Sequence, residues 1–468
     1  MLTLLDVLTG TGGELRGDLS TDTPVSALHS DSRQVTPGSL FFALPGAATD
    51  GHRFLPDAIG RGAVAVVVRE DWLAANPPLP VPAIAVPETM TALHDLAAWW
   101  RRRFPRTPVV AVTGSVGKTS TKETVAAVLA TRYRVHKSIG NLNAITSMPI
   151  SLLGMTADTE VAVMEMALYD PGDIATMTRI AMPDIGVLTT IGMSHVERFG
   201  SQANIAAEKG ELIAGLPTHG FAVLNGDDHH ALAMRSRTVA RPLTFGTRDS
   251  CDVRATDLET RGLAGIRFVL HLPDTAPVPV KSPLLGAHSV YIALAAAAVG
   301  HALGLTAGEI GTGLAGQQER LRLVTVPGPN GSTLIDDTYN SSPQSAIAAL
   351  EVLRSLDATR RVAVLADMLE LGDYTEESHK RVGWQAAEMN RLYTLGPRSL
   401  VTAEAAREVG MPANAVVSVE ADDKATLAAR LRDDLEPGDL VLVKGSRGMH
   451  MEDLIAALRS DTENGGGA

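Results

Sequence analysis

Residues 109–120 constrain the fold of this chain more than any other segment. A run of four apolar residues leads directly into Thr-Gly-Ser-Val-Gly-Lys-Thr-Ser. Gly114 and Gly117 permit a tight turn whose backbone N–H groups point at an anion, and Lys118 adds a positive charge for the outer phosphates. The segment therefore predicts a strand, a phosphate-binding loop and a helix in an α/β domain.

The helix is expected over residues 120–133, so that its positive end also faces the phosphates. Thr119 offers a hydroxyl group to Mg²⁺. A standard Walker A loop would have a glycine at position 112, where this chain has Val112, and this narrows the choice of nucleotide-binding family. The predicted nucleotide contacts of the loop are Gly114, Ser115, Val116, Gly117, Lys118, Thr119 and Ser120.

Length, charge and cysteine content limit the number of domains and the kinds of partner that this chain can have. The chain has 468 residues, which suggests about three domains. Its net charge of −12 disfavours nucleic acid or an anionic membrane as a general partner. A single cysteine, Cys251, excludes an intrachain disulfide and fits a reducing compartment, where it is expected to be a small core residue.

The first residues lack the pattern of a signal peptide, so a cytoplasmic protein is expected. The apolar run at 290–305 is shorter than the ~20 residues that span a bilayer. It predicts a buried helix, and no membrane insertion is expected.

The alternation of apolar runs with helical stretches predicts an α/β fold in three domains. A smaller α/β domain is expected over 1–104, where the prolines of 77–87 should interrupt regular structure. Residues 105–315 should form a P-loop-type domain, a mostly parallel sheet with helices on both faces. Residues 316–468 should form a Rossmann-like domain. The predicted strands of the last two domains are 109–112, 161–164, 185–190, 221–224, 333–335, 361–365 and 440–443.

Two further polar residues follow predicted strands of the central domain. Glu165 ends one strand and could hold Mg²⁺ beside Thr119, although an ordinary strand-end carboxylate is the alternative. His195 follows another strand. Because parallel strands end at one edge, Lys118, Thr119, Glu165 and His195 are expected to converge there. Lys209 stands between two acids on a predicted helix and, taken alone, indicates a solvated, salt-bridged face.

The order of these motifs resembles the Mur ligase superfamily over nearly the whole chain, and within it the MurF family. The shared features are Thr113–Thr119, Glu165, His195, Lys209, Gly286-Ala-His288, Arg320, Asp336-Asp337-Thr-Tyr-Asn340, the segment 367–372, and Lys444-Gly-Ser-Arg447. Residues 31–44 resemble the UDP-binding domain of the MurE and MurF families.

The resemblance implies roles for several residues. Lys209 would be carbamylated and would join Thr119, Glu165 and His195 as a metal ligand. His288 would flank the adenine, Arg320 would reach the γ-phosphate, and Asp337 with Asn340 would orient the nucleotide. With Lys118, the residues His195, Lys209 and Arg320 would form the catalytic set. Ser32, Arg33, Asn143, Lys444 and Arg447 would contact substrate.

The implied activity is ATP-dependent amide ligation in peptidoglycan precursor synthesis. ATP and two Mg²⁺ would serve the joining of D-alanyl-D-alanine to UDP-N-acetylmuramoyl-tripeptide through an acyl phosphate. Most of the catalysis would come from neutralising charge on the transferring phosphoryl group. A monomer that does not bind nucleic acid is expected.

Three alternatives remain open at this point. A MurE-type ligase would add one diamino acid, but the Asp-Asn-Pro-Arg type of motif is missing between residues 350 and 450. A folylpolyglutamate synthase would lack the UDP-binding domain. A GTPase switch would need an Asn-Lys-x-Asp sequence, which the chain does not contain, and a non-catalytic ATP-dependent binding module is a further possibility of this class.

Overall fold

The computed structural model describes residues 2–18, 20–46, 49–140, 142–316, 324–419 and 423–459. The strands are β1 (Glu14–Arg16), β2 (Leu28–His29), β3 (Leu40–Phe42), β4 (Ala65–Arg69), β5 (Ala83–Val86), β6 (Val109–Thr113), β7 (Val135–Lys137), β8 (Val161–Glu165), β9 (Ile185–Leu188), β10 (Phe221–Asn225), β11 (Arg241–Gly246), β12 (Val253–Thr260), β13 (Ile266–His271), β14 (Val278–Ser282), β15 (Val324–Pro327), β16 (Thr333–Asp337), β17 (Arg361–Ala366), β18 (Arg391–Leu395), β19 (Val416–Val419) and β20 (Leu440–Lys444).

The helices are α1 (Leu4–Thr11), α2 (Leu55–Gly60), α3 (Glu70–Ala75), α4 (Thr89–Arg102), α5 (Lys118–Leu129), α6 (Met148–Leu152), α7 (Asp173–Ala181), α8 (Val196–Phe199), α9 (Gln202–Ala214), α10 (His229–Ala233), α11 (Val290–Ala302), α12 (Ala307–Ala315), α13 (Pro343–Ser355), α14 (Thr375–Ala386), α15 (Ser399–Glu408), α16 (Lys424–Asp434) and α17 (Glu452–Arg459).

Within the described residues these strands form three sheets. Their orders are β1-β5-β4-β3-β2, then β14-β13-β12-β11-β10-β9-β6-β8-β7, then β15-β16-β20-β17-β18-β19. Neighbouring strands are parallel except at β1–β5, β12–β13, β13–β14 and β15–β16. The mostly parallel α/β class predicted from the sequence is confirmed.

The central strands of the two larger sheets are buried on both faces. Along β6, Val109 and Ala111 pack into a core with α7 and α9, whereas Val110 and Val112 pack into another core with α5 and α11. Alternate residues of β17 and β20 likewise enter two separate cores. A strand that is covered on both faces is apolar at nearly every position, which explains why β6 and β20 are apolar up to the polar residues at their carboxyl ends, Thr113 and Lys444.

The prediction that the prolines of 77–87 exclude regular structure is wrong. Residues 83–86 form β5, which pairs in parallel with β4 and antiparallel with β1. Pro82 and Pro87 flank this strand and do not interrupt it. A proline removes only its own N–H from a sheet, so four residues between prolines can still pair on both sides.

The helix after the phosphate loop begins two residues earlier than predicted. Gly117 adopts the left-handed conformation with φ 83° and ends the turn, so that α5 starts at Lys118. It ends at Leu129 instead of Tyr133. Strand β9 is also shorter than predicted and ends before Thr189. The N–H of Thr189 donates to the carbonyl of Thr113, and the carbonyl of Thr190 accepts the N–H of Ser115, so both residues bond to the end of β6 and its phosphate loop.

The alanine-rich run after residue 290 forms the buried helix α11, as predicted. Cys251 is 4 % exposed and packs in the core, as also predicted. None of the helices in the described part of the chain is long and apolar enough to cross a membrane.

Gly114 provides a test of the loop geometry. Its φ is 149°, and a Cβ there would lie 1.9 Å from Oγ1 of Thr189. We expect Gly114→Ala to lower the free energy of unfolding by about 3 kcal/mol, measured by urea denaturation, because alanine adds both a clash and backbone strain. Gly311→Ala in α12 is the control. That position has open space, so alanine should leave stability unchanged or raise it by up to about 1 kcal/mol.

Candidate active site

The carboxyl ends of β6, β8 and β9 face a cavity of about 370 Å³. Its opposite wall is formed by residues that follow β16, β17 and β20. Of the residues singled out in the sequence, the cavity is lined by Ser115, Val116, Gly117, Lys118, Thr119, Asn143, Glu165, His195, Asn340 and Arg447. The predicted convergence of Lys118, Thr119, Glu165 and His195 is therefore present in the structure.

Backbone and side-chain hydrogen bonds hold the phosphate loop to the residues that follow β9. The N–H of Ser115 donates to the carbonyl of Thr190 at 2.7 Å, and Oγ1 of Thr189 donates to the carbonyl of Val116 at 2.7 Å. The ammonium of Lys118 donates to the carbonyl of Gly114 at 2.9 Å, which holds its charge over the loop. The loop is thus shaped for an anion by its own contacts.

Gly114 and Ser120 are not among the residues that line the cavity. Ser120 is 6 % exposed, and its carbonyl accepts a hydrogen bond from Oγ1 of Thr124 at 2.7 Å. The sequence predicted both as nucleotide contacts, and that role stays a prediction.

Glu165 ends β8 in an almost dry environment, with 1 % of its surface exposed. Its Oε1 accepts hydrogen bonds from Oγ1 of Thr119 at 3.0 Å and from Nδ2 of Asn143 at 2.8 Å. Its buried Oε2 accepts no hydrogen bond from the described residues, and the ammonium of Lys122 lies 3.8 Å away. A carboxylate oxygen left open beside a hydroxyl group fits a Mg²⁺ site.

The described residues contain no group of three or more His, Cys, Asp or Glu side chains that could hold a metal ion by themselves. A cation beside Glu165 would therefore need other ligands as well, such as the hydroxyl of Thr119 and phosphate oxygens.

Lys209 is buried, contrary to the solvated helix face that its neighbours in sequence suggest. It is 1 % exposed on α9, a helix that packs against α7 and β9. Burial, together with the positive charge of Lys118, holds the pKa of Lys209 well below its ordinary value. Its amine is therefore far easier to deprotonate than that of a surface lysine.

His195 contacts a residue that the sequence did not predict for the site. Its Nδ1 lies 2.7 Å from Oε2 of Glu370, and its ring makes an edge contact with Tyr169. This close contact with His195 lowers the pKa of the Glu370 carboxyl. Glu370 follows the carboxyl end of β17, in a segment already noted in the sequence, and its strand-end position was the available signal.

The sequence predicted that Lys444 contacts substrate, but its side chain does not face the cavity. Its side chain is fully buried, and its ammonium lies 2.5 Å from Oδ2 of Asp337 and 2.8 Å from the carbonyl oxygen of Asn340. These contacts hold the loop after β16. Arg447, by contrast, is 58 % exposed at the cavity, pairs with Glu452 and lies over the ring of Tyr339.

The remaining predicted residues lie in different places. Burial lowers the pKa of His288, and the charges of Asp337 and Lys444 also act on its imidazole. In the first section of the chain, Ser32 is buried and Arg33 is 82 % exposed in an ion pair with Asp31. Arg320 lies outside the described residues.

The comparisons with known proteins agree with this geometry. Residues 24–101 match the Mur ligase family catalytic domain, 112–300 the Mur ligase middle domain, and 319–447 the Mur ligase glutamate ligase domain. The Bacillus subtilis UDP-N-acetylmuramoyl-tripeptide–D-alanyl-D-alanine ligase is 34 % identical over 457 residues, which cover 95 % of this chain and 96 % of that protein.

Two solved structures extend the comparison. The Acinetobacter baumannii MurF structure superposes with a TM-score of 0.84 at 29 % identity and covers 97 % of this chain and 98 % of that one. Thermotoga maritima MurF in complex with ADP has a TM-score of 0.76 at 28 % identity, with coverage of 94 % and 98 %. The chain belongs to the Mur ligase family, and it resembles the MurF ligases over its whole length.

Lys444→Met tests whether this lysine is structural. Removing it leaves the buried Asp337 carboxylate without its cation, so the free energy of unfolding should fall by about 3 kcal/mol or more in chemical denaturation. Arg447→Met removes an exposed charge and should change stability by less than about 0.5 kcal/mol. Equal stability of the two variants would contradict the assignment of Lys444 to the loop.

Proposed function

We propose that this chain is an ATP-dependent ligase that joins D-alanyl-D-alanine to UDP-N-acetylmuramoyl-tripeptide. The main support is the cavity in which the phosphate loop and Glu165 face the loops after β16, β17 and β20. Full-length similarity to ligases of this name supports the substrates, and the ADP complex of a similar MurF supports the nucleotide.

The reaction would proceed in two steps. The terminal carboxylate of the tripeptide attacks the γ-phosphorus of ATP; an O–P bond forms, the bond to the β-phosphate oxygen breaks, and ADP leaves. The amine of the dipeptide then attacks the acyl carbon, loses a proton and expels phosphate. Lys118 and the loop N–H groups would neutralise charge on the transferring phosphoryl group, and the family resemblance implies that Arg320 has the same task.

The cation site would be formed by Thr119, Glu165, His195 and a carbamylated Lys209. Bound Mg²⁺, two ions by the family resemblance, would supply further neutralisation of phosphate charge. One of these cation positions, beside Glu165, is supported by the Oε2 atom of Glu165, which accepts no hydrogen bond from the described residues.

The domain division follows the same logic. We propose that residues 1–104 bind the UDP end of the substrate, with Ser32 and Arg33 among the contacts. Residues 105–315 would bind ATP, and residues 316–468 would close on the nucleotide and bind the dipeptide near Arg447. Because the cavity lies between these last two sections, their approach would exclude water from the acyl phosphate. The enzyme would work as a cytoplasmic monomer.

The modification of Lys209 is supported by its burial beside Lys118. A neutral amine can attack CO₂, forming an N–C bond and releasing a proton, which turns the side chain into an anion. The anion would be attracted by the charge of Lys118 that disfavours the ammonium form.

Stability measured against pH tests this idea. In CO₂-free buffer the unfolded chain binds more protons at Lys209 than the folded chain, between the lowered pKa and the ordinary value of 10.5. The free energy of unfolding of the wild type should therefore rise with pH, relative to Lys209→Met, by up to about 1.4 kcal/mol per pH unit. Bicarbonate should stabilise the wild type at pH 8 and leave Lys209→Met unchanged; an equal response of both proteins would exclude the carbamate.

Phosphate release from ATP tests the proposed activity. With UDP-N-acetylmuramoyl-tripeptide present, D-alanyl-D-alanine should stimulate release at least a hundredfold over single amino acids, because only the dipeptide would complete the site. Lys118→Met should reduce this rate by at least a hundredfold, since it removes charge from the transferring phosphoryl group. Turnover with UDP-N-acetylmuramoyl-dipeptide and a diamino acid alone would favour a MurE-type ligase. Nucleotide binding without turnover on any acceptor would favour a switch or binding module.

A further inference from the structure

Lys122 is a fully buried lysine one helical turn beyond the phosphate loop, and the proposed reaction gives it no role. Its side chain is 0 % exposed. The ammonium donates to the carbonyl oxygens of Ser138 at 2.8 Å and Gly140 at 2.9 Å, and lies 2.9 Å from Oε1 of Glu123. Three acceptors therefore surround its three N–H groups.

The carbonyls that Lys122 holds belong to the connection between β7 and α6, which has no regular structure at these positions. This connection also holds Glu165. The hydroxyl oxygen of Ser138 accepts the N–H of Glu165 at 3.1 Å, and Nδ2 of Asn143 donates to the Glu165 carboxylate. Holding Ser138 thus holds one of the groups that set the position of Glu165, and Asn143 of the same connection supplies another.

The far end of the same connection is held by the first section of the chain. Nε2 of His94, on α4, lies 2.9 Å from the carbonyl oxygen of Ile145 and must be the donor, because a carbonyl only accepts. The carbonyl of Asn143 also accepts the N–H of Ala167 at 2.8 Å. With Lys122 at one end and His94 at the other, the connection is held against the end of β8.

A buried cation is a costly way to fix a loop. Removing an ammonium group from water is strongly unfavourable, and apolar residues often serve stability as well or better. The placement of Lys122 brings a further property, since its ammonium lies 3.8 Å from the open Oε2 of Glu165. That distance exceeds a hydrogen bond, so the oxygen remains free to bind another cation while its charge is partly balanced.

We propose that Lys122 is a positioning residue for Glu165. Its ammonium fixes the connection between β7 and α6, and thereby holds the carboxylate where a divalent cation would join a bound nucleotide. This inference rests on the proposed function, because it assumes that Glu165 serves a nucleotide-bound metal ion.

The test is calorimetric titration of the full-length protein with ADP, with and without Mg²⁺. The wild type should bind ADP more tightly when Mg²⁺ is present. Lys122→Met should weaken Mg·ADP binding at least tenfold and change metal-free ADP binding less than twofold, because the phosphate loop keeps its own contacts. Lys122→Gln, which keeps donors but loses the charge, is the second variant should methionine prevent folding. If both variants fold, Lys122→Gln should lose less Mg·ADP affinity than Lys122→Met. If only Lys122→Gln folds, it should bind Mg·ADP at least threefold more weakly than the wild type.

Lys137→Met is the matched control. Lys137 pairs with the same Glu123 from a partly exposed position, so its loss should leave Mg·ADP binding within twofold of the wild type. Variants of Lys122 that bind Mg·ADP like the wild type would overturn the positioning role alone. So would an equal loss with and without metal, since this would indicate damage to the loop or the fold. A wild type that binds no ADP, or gains nothing from Mg²⁺, would overturn the proposed nucleotide site and this inference together.

Discussion

The site depends on the position of β6 between β8 and β9. These three parallel strands end together, so the phosphate loop after β6 lies beside Glu165 from β8 and beside Thr189 just after β9. The close approach leaves no room for a side chain at Gly114 and allows Thr119 to reach the Glu165 carboxylate. Because β6 is buried on both faces, the loop begins at a tightly packed strand.

The buried lysines lie in two kinds of environment, which differ in the charge of their neighbours. Lys122 and Lys444 each lie beside a carboxylate and bond to backbone carbonyls, so each fixes a loop that borders the cavity. Lys209 has a different environment, because the nearby charge that shifts its pKa is another lysine. The first arrangement stabilises an ammonium group, whereas the second favours the neutral amine that could react with CO₂.

The contact between His195 and Glu370 joins the central section to the third section at the cavity. Both residues have positive φ angles, 63° and 62°, which non-glycine residues seldom adopt. Gly372 packs nearby against Glu197, so the segment after β17 meets the start of α8 closely. A metal-binding role for His195 would require Glu370 to orient the imidazole, because a ligand histidine is usually held through its other nitrogen.

The sequence by itself determined the phosphate loop, the strand-end positions of Glu165 and His195, and the mostly parallel sheets. These features follow from local patterns: glycine spacing, apolar runs, and the rule that parallel strands end at one edge. Tertiary structure decided the rest. Lys209 and Lys444 look like surface lysines in sequence and are buried, because burial depends on helices and strands that pack from elsewhere in the chain. Glu370 reaches His195 across 175 positions, a separation that no local pattern encodes. Residues 83–86 form a strand despite the flanking prolines, since β1 and β4 supply hydrogen-bond partners on both sides. Local sequence thus indicated which side chains could bind or react. Long-range packing decided which of these side chains are in contact and how burial and neighbouring charges shift their pKa values.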